Sequence, residues 1–360
     1  MPGRIHQWAA FGGDLRTMRL SSSPRLRLLL LAAGFAASLP LVAGFLGHLH
    51  PALDSFAHFR IHLAILLAVV GAAMLLVRLW PEAIVAVVLA AASIWTTWAP
   101  AGFIRLASAS AAMPAEAAPA YRLLQINLLL DNPTPEAVLS LIARLRPDVV
   151  TLQEVSPMWR GKLDLLEGAY PYSIVCEAPW QAVAILSRRP FETQAPRPVC
   201  LDEGALAIAT FNFGGQPVDV AALHLKWPWP FGQAGQIEAL AEPLGRLGDT
   251  AILAGDLNAT PWSAAVAAVA RDAGMTRIER IGPTWLPGAF PPSLTRLGLP
   301  IDQVMSKGAV SIRSTRLVES VGSDHLPLLV EFSLAPGGSQ PERQTVEGPK
   351  QSASTALSTF

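Results

Sequence analysis

The chain has 360 residues, 51% hydrophobic and 15% charged, with 27 Lys+Arg against 27 Asp+Glu and a mean hydropathy of +0.38. So apolar a composition excludes an ordinary soluble globule and calls for membrane spans. Residues 1–120 carry 8 Lys+Arg against 4 Asp+Glu, and residues 121–335 carry 17 against 21; the larger part therefore lacks the basic excess of a protein that grips a nucleic-acid backbone through charge alone.

Residues 1–27 read as a basic cytoplasmic tail, and residues 28–104 as three transmembrane helices. Leu28–Gly47, Ile61–Val77 and Ala83–Ile104 are uncharged runs, each near the length needed to cross about 30 Å of hydrocarbon. Trp80, Trp95 and Trp98 lie near span ends, where an amphipathic ring suits the headgroup level. Arg78–Glu82 leaves room only for a tight turn, so the second and third spans should form a hairpin. Buried core helices are the competing account, but three successive apolar runs are hard to bury in a globule. Arg4, Arg16, Arg19, Arg25 and Arg27 precede the first span against a single Asp14, which keeps the N-terminus cytoplasmic. Three spans then put everything after residue 105 on the far side. If the first span were instead a cleaved signal peptide, the same side would result.

Residues 105–120, rich in Ala, Ser and Pro, read as a linker. Residues 336–360, rich in Gly, Pro and Ser, read as a disordered tail. Between them, residues 121–335 suffice for one large domain. Tyr121–Leu129 is a strand. Thr134 offers an N-cap, Pro135 a first helical residue, and Val138, Leu139, Ile142 and Leu145 a helical stripe that Pro147 stops. Asp148–Val155 is the next strand, and residues 182–187 another. Residues 205–213 turn at Gly214–Gly215 into Val218–Leu225, a hairpin. Residues 233–247 are helical; Ala251–Asp256, Ile301–Ser306 and Leu326–Leu334 are further strands. Hairpin-paired strands with a few helical crossovers predict two packed sheets covered by helices, an α/β (α+β) sandwich, ahead of a doubly wound parallel sheet.

Several apolar strands end in polar groups: Asn127, Glu154, His224, Asp256, Asn258, Asp302, Asp324 and His325. Singly, each could cap a turn or satisfy a loop. Together they need a purpose, because desolvating charge costs several kcal/mol unless it is paired or binds metal. No His/Cys cluster has zinc spacing, and no Gly-rich phosphate loop is present. Only two cysteines occur, Cys176 and Cys200; an extracytoplasmic domain permits a disulfide between them, and two buried thiols fit the sequence equally.

The fragments INLL, LQEV, AILSR, ALHLK, GDLNATP, PTW, IDQV and SDHLPLL, in that order over about residues 121–334, resemble the endonuclease/exonuclease/phosphatase superfamily with its deoxyribonuclease-I-like fold. GDxN and SDH are weak alone; the order of eight fragments is specific. The resemblance implies a four-layer α-β-β-α sandwich and divalent-metal hydrolysis of phosphoesters, with substrates ranging from nucleic acids to phosphoinositides, sphingomyelin and smaller phosphodiesters. The membrane anchor resembles a bacterial branch, hence a multi-pass protein of the bacterial inner membrane with its catalytic domain extracytoplasmic.

The chemistry assigns roles. Phosphoryl transfer needs neutralised oxygens, an aligned water and a protonated leaving group. Glu154 is the best ligand for Mg²⁺ or Mn²⁺; Asn127 can add a neutral oxygen or orient the phosphate, and Asp324 can reach the metal directly or through water. The resemblance puts Asp256 on the attacking water with Asn258 beside it, and i and i+2 on one strand share a face. Asp302 and His325 look like a carboxylate–imidazole dyad. His224 is a second donor whose carboxylate partner the sequence does not identify. Trp227, Trp229 and Phe231 fit a packed lid or surface turn, a bilayer wedge or a base-stacking platform; Arg188, Arg189 and Lys226 are candidates for a basic groove. The expected activity is therefore a membrane-anchored phosphoesterase acting on a lipid or small phosphodiester. The alternatives are a nuclease and an inactive scaffold of the same fold; no protein partner is inferable.

Overall fold

The computed structural model describes residues 23–98, 119–178, 182–278, 281–288, 290, 294 and 297–335. The basic tail up to residue 22, nearly all of the expected linker and the tail 336–360 lie outside the described residues. The chain divides into two compact units. One comprises residues 1–104 with 228–230 and 262–264, and the other comprises the remainder.

The helical unit contains α1 (Pro24–Ala43), α2 (Pro51–Ala57), α3 (Arg60–Leu76) and α4 (Trp80–Trp98). Ser23 caps α1 by accepting from the Leu26 N–H at 3.3 Å, and Pro24 takes the first helical position. The segments Pro24–Leu46 and Trp80–Thr97 are long and apolar enough to cross a membrane. The pair α2 and α3, bent by 63°, would raise the number of spans to 3 if it counts as one. The break lies just ahead of the uncharged run that begins at Ile61: Arg60, at the head of α3, is buried, donates to the Gly44 carbonyl at 3.0 Å and lies 4.0 Å over the Phe45 ring. Small residues let α3 and α4 approach, Gly71 packing against Ala83, Ala86 and Val87.

The second unit is an α/β sandwich. In chain order it runs β1 (Ala120–Asn127), α5 (Pro135–Leu145), β2 (Val149–Gln153), α6 (Pro157–Leu163), β3 (Tyr172–Val175), β4 (Ala184–Ser187), β5 (Val199–Leu201), β6 (Leu206–Phe213) and β7 (Gln216–His224). It continues with α7 (Gln233–Gly245), β8 (Ala251–Asp256), α8 (Ala264–Asp272), β9 (Thr276–Arg277), β10 (Asp302–Lys307), β11 (Val310–Leu317) and β12 (Leu328–Leu334). One mixed sheet is ordered β11-β12-β1-β2-β4-β3 and the other β5-β6-β7-β8-β10-β9.

Strand alternation builds the layers. Leu123, Val149, Ile185, Phe211, Val220, Ile252 and Phe332 fill the seam between the sheets. Their neighbours Leu124, Ile126, Val150 and Leu152 face outward onto Val138 and Ile142 of α5 and Trp159 of α6. Leu223 and Leu253 of the second sheet pack on Ile237 and Leu240 of α7 and on Val266 and Val269 of α8. Each such side chain, fully buried, stabilises by about 1.5–3 kcal/mol. The β6–β7 hairpin turns on Gly214 and Gly215, at φ 66° and 94°, as a two-residue loop requires. Thr134 does not cap α5 with its side chain; its hydroxyl instead bonds Asn132 and the Val321 carbonyl. Cys176, just past β3, is joined to Cys200 in β5 with Cα atoms 5.6 Å apart. The bridge ties the edge strand of one sheet to the edge strand of the other.

Candidate active site

Register brings the polar strand ends together. β7 runs parallel to β8 with His224 opposite Asp256, and β8 runs antiparallel to β10 with Asp256 opposite Asp302. Paired residues share a face, so these three lie side by side. Gly255 makes the approach possible, because a Cβ there would collide with the Leu223 carbonyl of β7. From the other sheet, β1 ends at Asn127 opposite Gln153 of β2. Glu154 follows in a left-handed conformation, φ 59°, and His325 arrives just ahead of β12.

Asn127 stands at the centre. Its amide nitrogen donates to Glu154 Oε1 and to Asp256 Oδ2, both at 3.0 Å, and lies 3.4 Å from His325 Nε2. Its oxygen accepts from the Leu129 N–H. So oriented, Asn127 gives its amide protons to the carboxylates and its oxygen to the Leu129 N–H. Glu154 Oε2 accepts from the Leu130 N–H at 2.9 Å. Asp302 Oδ2 meets His325 Nδ1 at 2.8 Å, so the expected dyad is formed. His325 Nε2 is 3.5 Å from Asp256 Oδ2, and His224 Nε2 is 3.7 Å from the same oxygen. The carboxylate facing His224 is therefore Asp256. His224 Nδ1 has no hydrogen-bond partner among the described residues.

Burial and charge set the protonation states. Burial works against the His325 cation, but Asp302 and Asp256 outweigh it and raise its pKa to about 10. Burial, with the His325 charge, lowers His224 to about 4, so near neutral pH one ring is charged and the other is not. Burial pushes the Asp256 carboxyl up, Asp302 adding to it and His325 opposing. Glu154 is also pushed up by burial, against the hydrogen bonds from Asn127 and Leu130. Desolvated carboxylates with one cationic side chain among them fit a divalent cation, and their hard oxygens suit Mg²⁺ or Mn²⁺. Among the described residues, ligand atoms of Asp256, Asp302 and His325 lie within 4.8 Å of one another. Glu154 joins Asp256 only through Asn127.

A sequence model described as the Endonuclease/Exonuclease/phosphatase family matches residues 124–325, more than half of the chain. The chain belongs to the endonuclease/exonuclease/phosphatase family. Members of the family are hydrolases of phosphoester bonds and generally use divalent metals. No curated protein matches the chain. Among solved structures it is similar to D. rerio TDP2 complexed with single strand DNA product, at 20% identity over 59% of this chain and 99% of that one, TM-score 0.49. It is similar to an endonuclease/exonuclease/phosphatase from Beutenbergia cavernae, at 20% identity over 61% and 73%, TM-score 0.48. It is also similar to sphingomyelinase C from Streptomyces griseocarneus, at 20% identity over 59% and 99%, TM-score 0.44.

In this endonuclease/exonuclease/phosphatase chain the remaining expected residues fall differently. β8 stops at Asp256, so Asn258 does not share a strand face with it. Asn258 sits at φ 47°, donates its N–H to Asp256 Oδ1 at 2.8 Å and its amide to the Leu225 carbonyl at 2.8 Å. Both residues still line a cleft of about 430 Å³, with Glu154 and His224. Asp324 accepts from the Trp285 indole at 2.8 Å, and its charge acts on Glu154 and His325. Arg189 pairs with Asp148 at the opposite end of β2 from Glu154, and Arg188 reaches back toward the Arg146 carbonyl at 3.5 Å; only Lys226 of the three basic candidates lines the cleft. Trp227, Trp229 and Phe231 are 52%, 53% and 67% exposed on a turn after β7, which fits a surface turn and not a packed lid.

Three supporting residues escaped the sequence reading. Buried Gln125 donates to Asp302 Oδ1 at 2.6 Å and to Gln153 at 2.8 Å, fixing the dyad from the facing sheet. Its signal was its place two residues before Asn127 on one strand. The Ser323 hydroxyl donates to the Asn127 carbonyl and accepts from the His325 N–H, so it is a brace. Trp285 holds Asp324.

Proposed function

We propose that this chain is a membrane-anchored, divalent-metal-dependent hydrolase of phosphodiesters, with a lipid or small phosphodiester as substrate. The reading rests on one observation: residues scattered in sequence form one cluster, Glu154, His224, Asp256 and Asn258 lining a cleft and Asn127, His325 and Asp302 joined to them from behind. Asp256 orients the attacking water and takes its proton; its raised proton affinity suits a general base near neutral pH. Asn258 holds Asp256 through its N–H. The His325 cation, locked by Asp302, neutralises the phosphoryl oxygens, and neutral His224 donates a further hydrogen bond. Glu154 would hold the metal, with Asp324 adding charge nearby. When bound, the metal supplies Lewis-acid stabilisation of the phosphoryl oxygens.

The domain plan goes with this reading: a cytoplasmic tail 1–27, three spans within 28–104, a linker 105–120, an extracytoplasmic catalytic domain 121–335 and a tail 336–360, in the bacterial inner membrane. The uncharged helices and the N-terminal arginines support it.

The test is hydrolysis of bis-p-nitrophenyl phosphate by the full chain in detergent. Turnover with Mg²⁺ or Mn²⁺ is expected, abolished by chelation and reduced about 10²–10⁴-fold in Asp256→Ala and His325→Ala. Absence of turnover with any divalent metal, or equal turnover in both variants, would sink the reading.

A further inference from the structure

We propose that Trp159 is a positioning residue for the metal carboxylate: through one peptide plane it holds Glu154 in the orientation that accepts a divalent cation. This rests on the hydrolase reading above, in which Glu154 holds the metal. β1 and β2 run parallel, and each is followed by a left-handed residue other than glycine, Leu129 at φ 61° and Glu154 at φ 59°. That conformation is disfavoured once a Cβ is present, and most of all for a bulky residue such as leucine. It persists only where the surroundings over-determine it.

Leu128–Leu130 lie outside helix and strand, yet every N–H and C=O of the three is bonded. The Leu128 N–H donates to the Gln153 carbonyl at 3.0 Å, the Leu129 N–H to Asn127 Oδ1 at 3.1 Å and the Leu130 N–H to Glu154 Oε2 at 2.9 Å. The Leu128 carbonyl accepts from the Asn132 amide at 3.0 Å, and the Leu130 carbonyl from the Ser156 hydroxyl at 2.8 Å. Ser156 stands at the N-cap of α6, where its hydroxyl would ordinarily accept from the first turn; it makes no such bond and serves the loop instead. The Leu129 carbonyl accepts from the Trp159 indole at 2.9 Å and from the Asn132 N–H at 3.1 Å.

The Leu129 carbonyl and the Leu130 N–H belong to one trans peptide unit, which is planar, so the two point in opposite directions. An indole fixed behind the carbonyl therefore fixes the N–H in front, the one that meets Glu154. Donation into the carbonyl also polarises the unit and strengthens that N–H as a donor. Asn127 holds the other oxygen, Oε1, at 3.0 Å. The carboxylate plane is thus set before a cation arrives, and each oxygen keeps a lone pair for it. Trp159 is fully buried in one cluster with Leu128, Val155 and Leu163. The ring fills the layer, and the indole N–H serves Glu154.

The test is Mn²⁺ binding to the full chain in detergent, without substrate, read from the electron paramagnetic resonance signal of free Mn²⁺. Glu154→Gln defines the site by the binding it removes. Trp159→Phe keeps an aromatic ring and loses the donor, and the Kd for Mn²⁺ should rise about 10–100-fold. Its turnover of bis-p-nitrophenyl phosphate should climb back toward the wild-type kcat as Mn²⁺ is raised. Leu163→Ala loosens the same layer without touching the indole, so it should lower the thermal midpoint and leave the Kd unchanged. In the wild type the Trp159 indole N–H resonance should shift in NMR when Mg²⁺ is added, and stay in place in Glu154→Gln. An unchanged Kd in Trp159→Phe, an equal rise in Leu163→Ala, or an indole resonance indifferent to Mg²⁺ overturns the proposal. Wild-type Mn²⁺ binding in Glu154→Gln overturns it together with the placing of the metal on Glu154. The expected shift in Kd without turnover of any phosphodiester upholds the proposal and overturns the hydrolase reading alone.

Discussion

Replacing Asp302 by Asn keeps the shape of the dyad and the hydrogen bond from Gln125 while removing one charge. In the intact site the His325 pKa stands at about 10 against a reference of 6.5, a difference worth about 5 kcal/mol at 1.36 kcal/mol per unit. Asp302 is the first of the charges that support it, and both residues are almost wholly buried, so solvent screening takes little away. Without Asp302, the burial that already opposes the cation has only Asp256 and Asp324 against it, and the ring pKa should fall. The expected result is a kcat lower by about 10²–10³-fold on bis-p-nitrophenyl phosphate with a much smaller change in KM. The His325 ring resonances in an NMR titration should move their midpoint downward from about 10. An Asp302→Asn variant with wild-type kcat, or with a ring still charged at pH 9, would refute the reasoning.

Three further outcomes are expected. The acid limb of kcat/KM should lie well above the usual carboxylate range, because Asp256 must be deprotonated and its pKa is raised; with His325 charged up to about 10, activity should hold through mildly alkaline pH, and an acid limb near 4 would count against Asp256 as base. Cys200→Ser opens a bridge between residues 24 apart and should cost about 3 kcal/mol, read as a thermal midpoint lower by roughly 10 °C. Gln125→Leu should cost about 1–3 kcal/mol in denaturant titration by leaving a buried Asp302 oxygen without its donor, and should lower kcat as well.

The strand ends were legible because alternation and turn chemistry mark where an apolar run stops, and the site residues stand there. His224, Asp256 and Asp302 become neighbours through register, which pairing fixes and spacing along the chain does not show. The i, i+2 argument for Asp256 and Asn258 failed because the strand ends two residues too soon and the chain turns left-handed. The supports were illegible for the same reason: Gln125 and Asp302 are far apart in sequence and meet across two sheets. Arg188 and Arg189 looked like groove residues, but β4 runs antiparallel to β2, so the end of AILSR lies away from Glu154. The edge strands β3, β5 and β9 are short and half-exposed, with no clean alternation to announce them. In the helical unit, hydropathy recorded the apolar runs but not the bend between α2 and α3.

Asp302 is clasped by a glutamine of the facing sheet, and the acid, amide and imidazole groups are divided between the two sheets. A species with only half of the sandwich assembled therefore owns no working centre. Catalysis and cooperative unfolding of this unit should vanish together in urea, so residual turnover can serve as a gauge of how much fully native protein a sample contains.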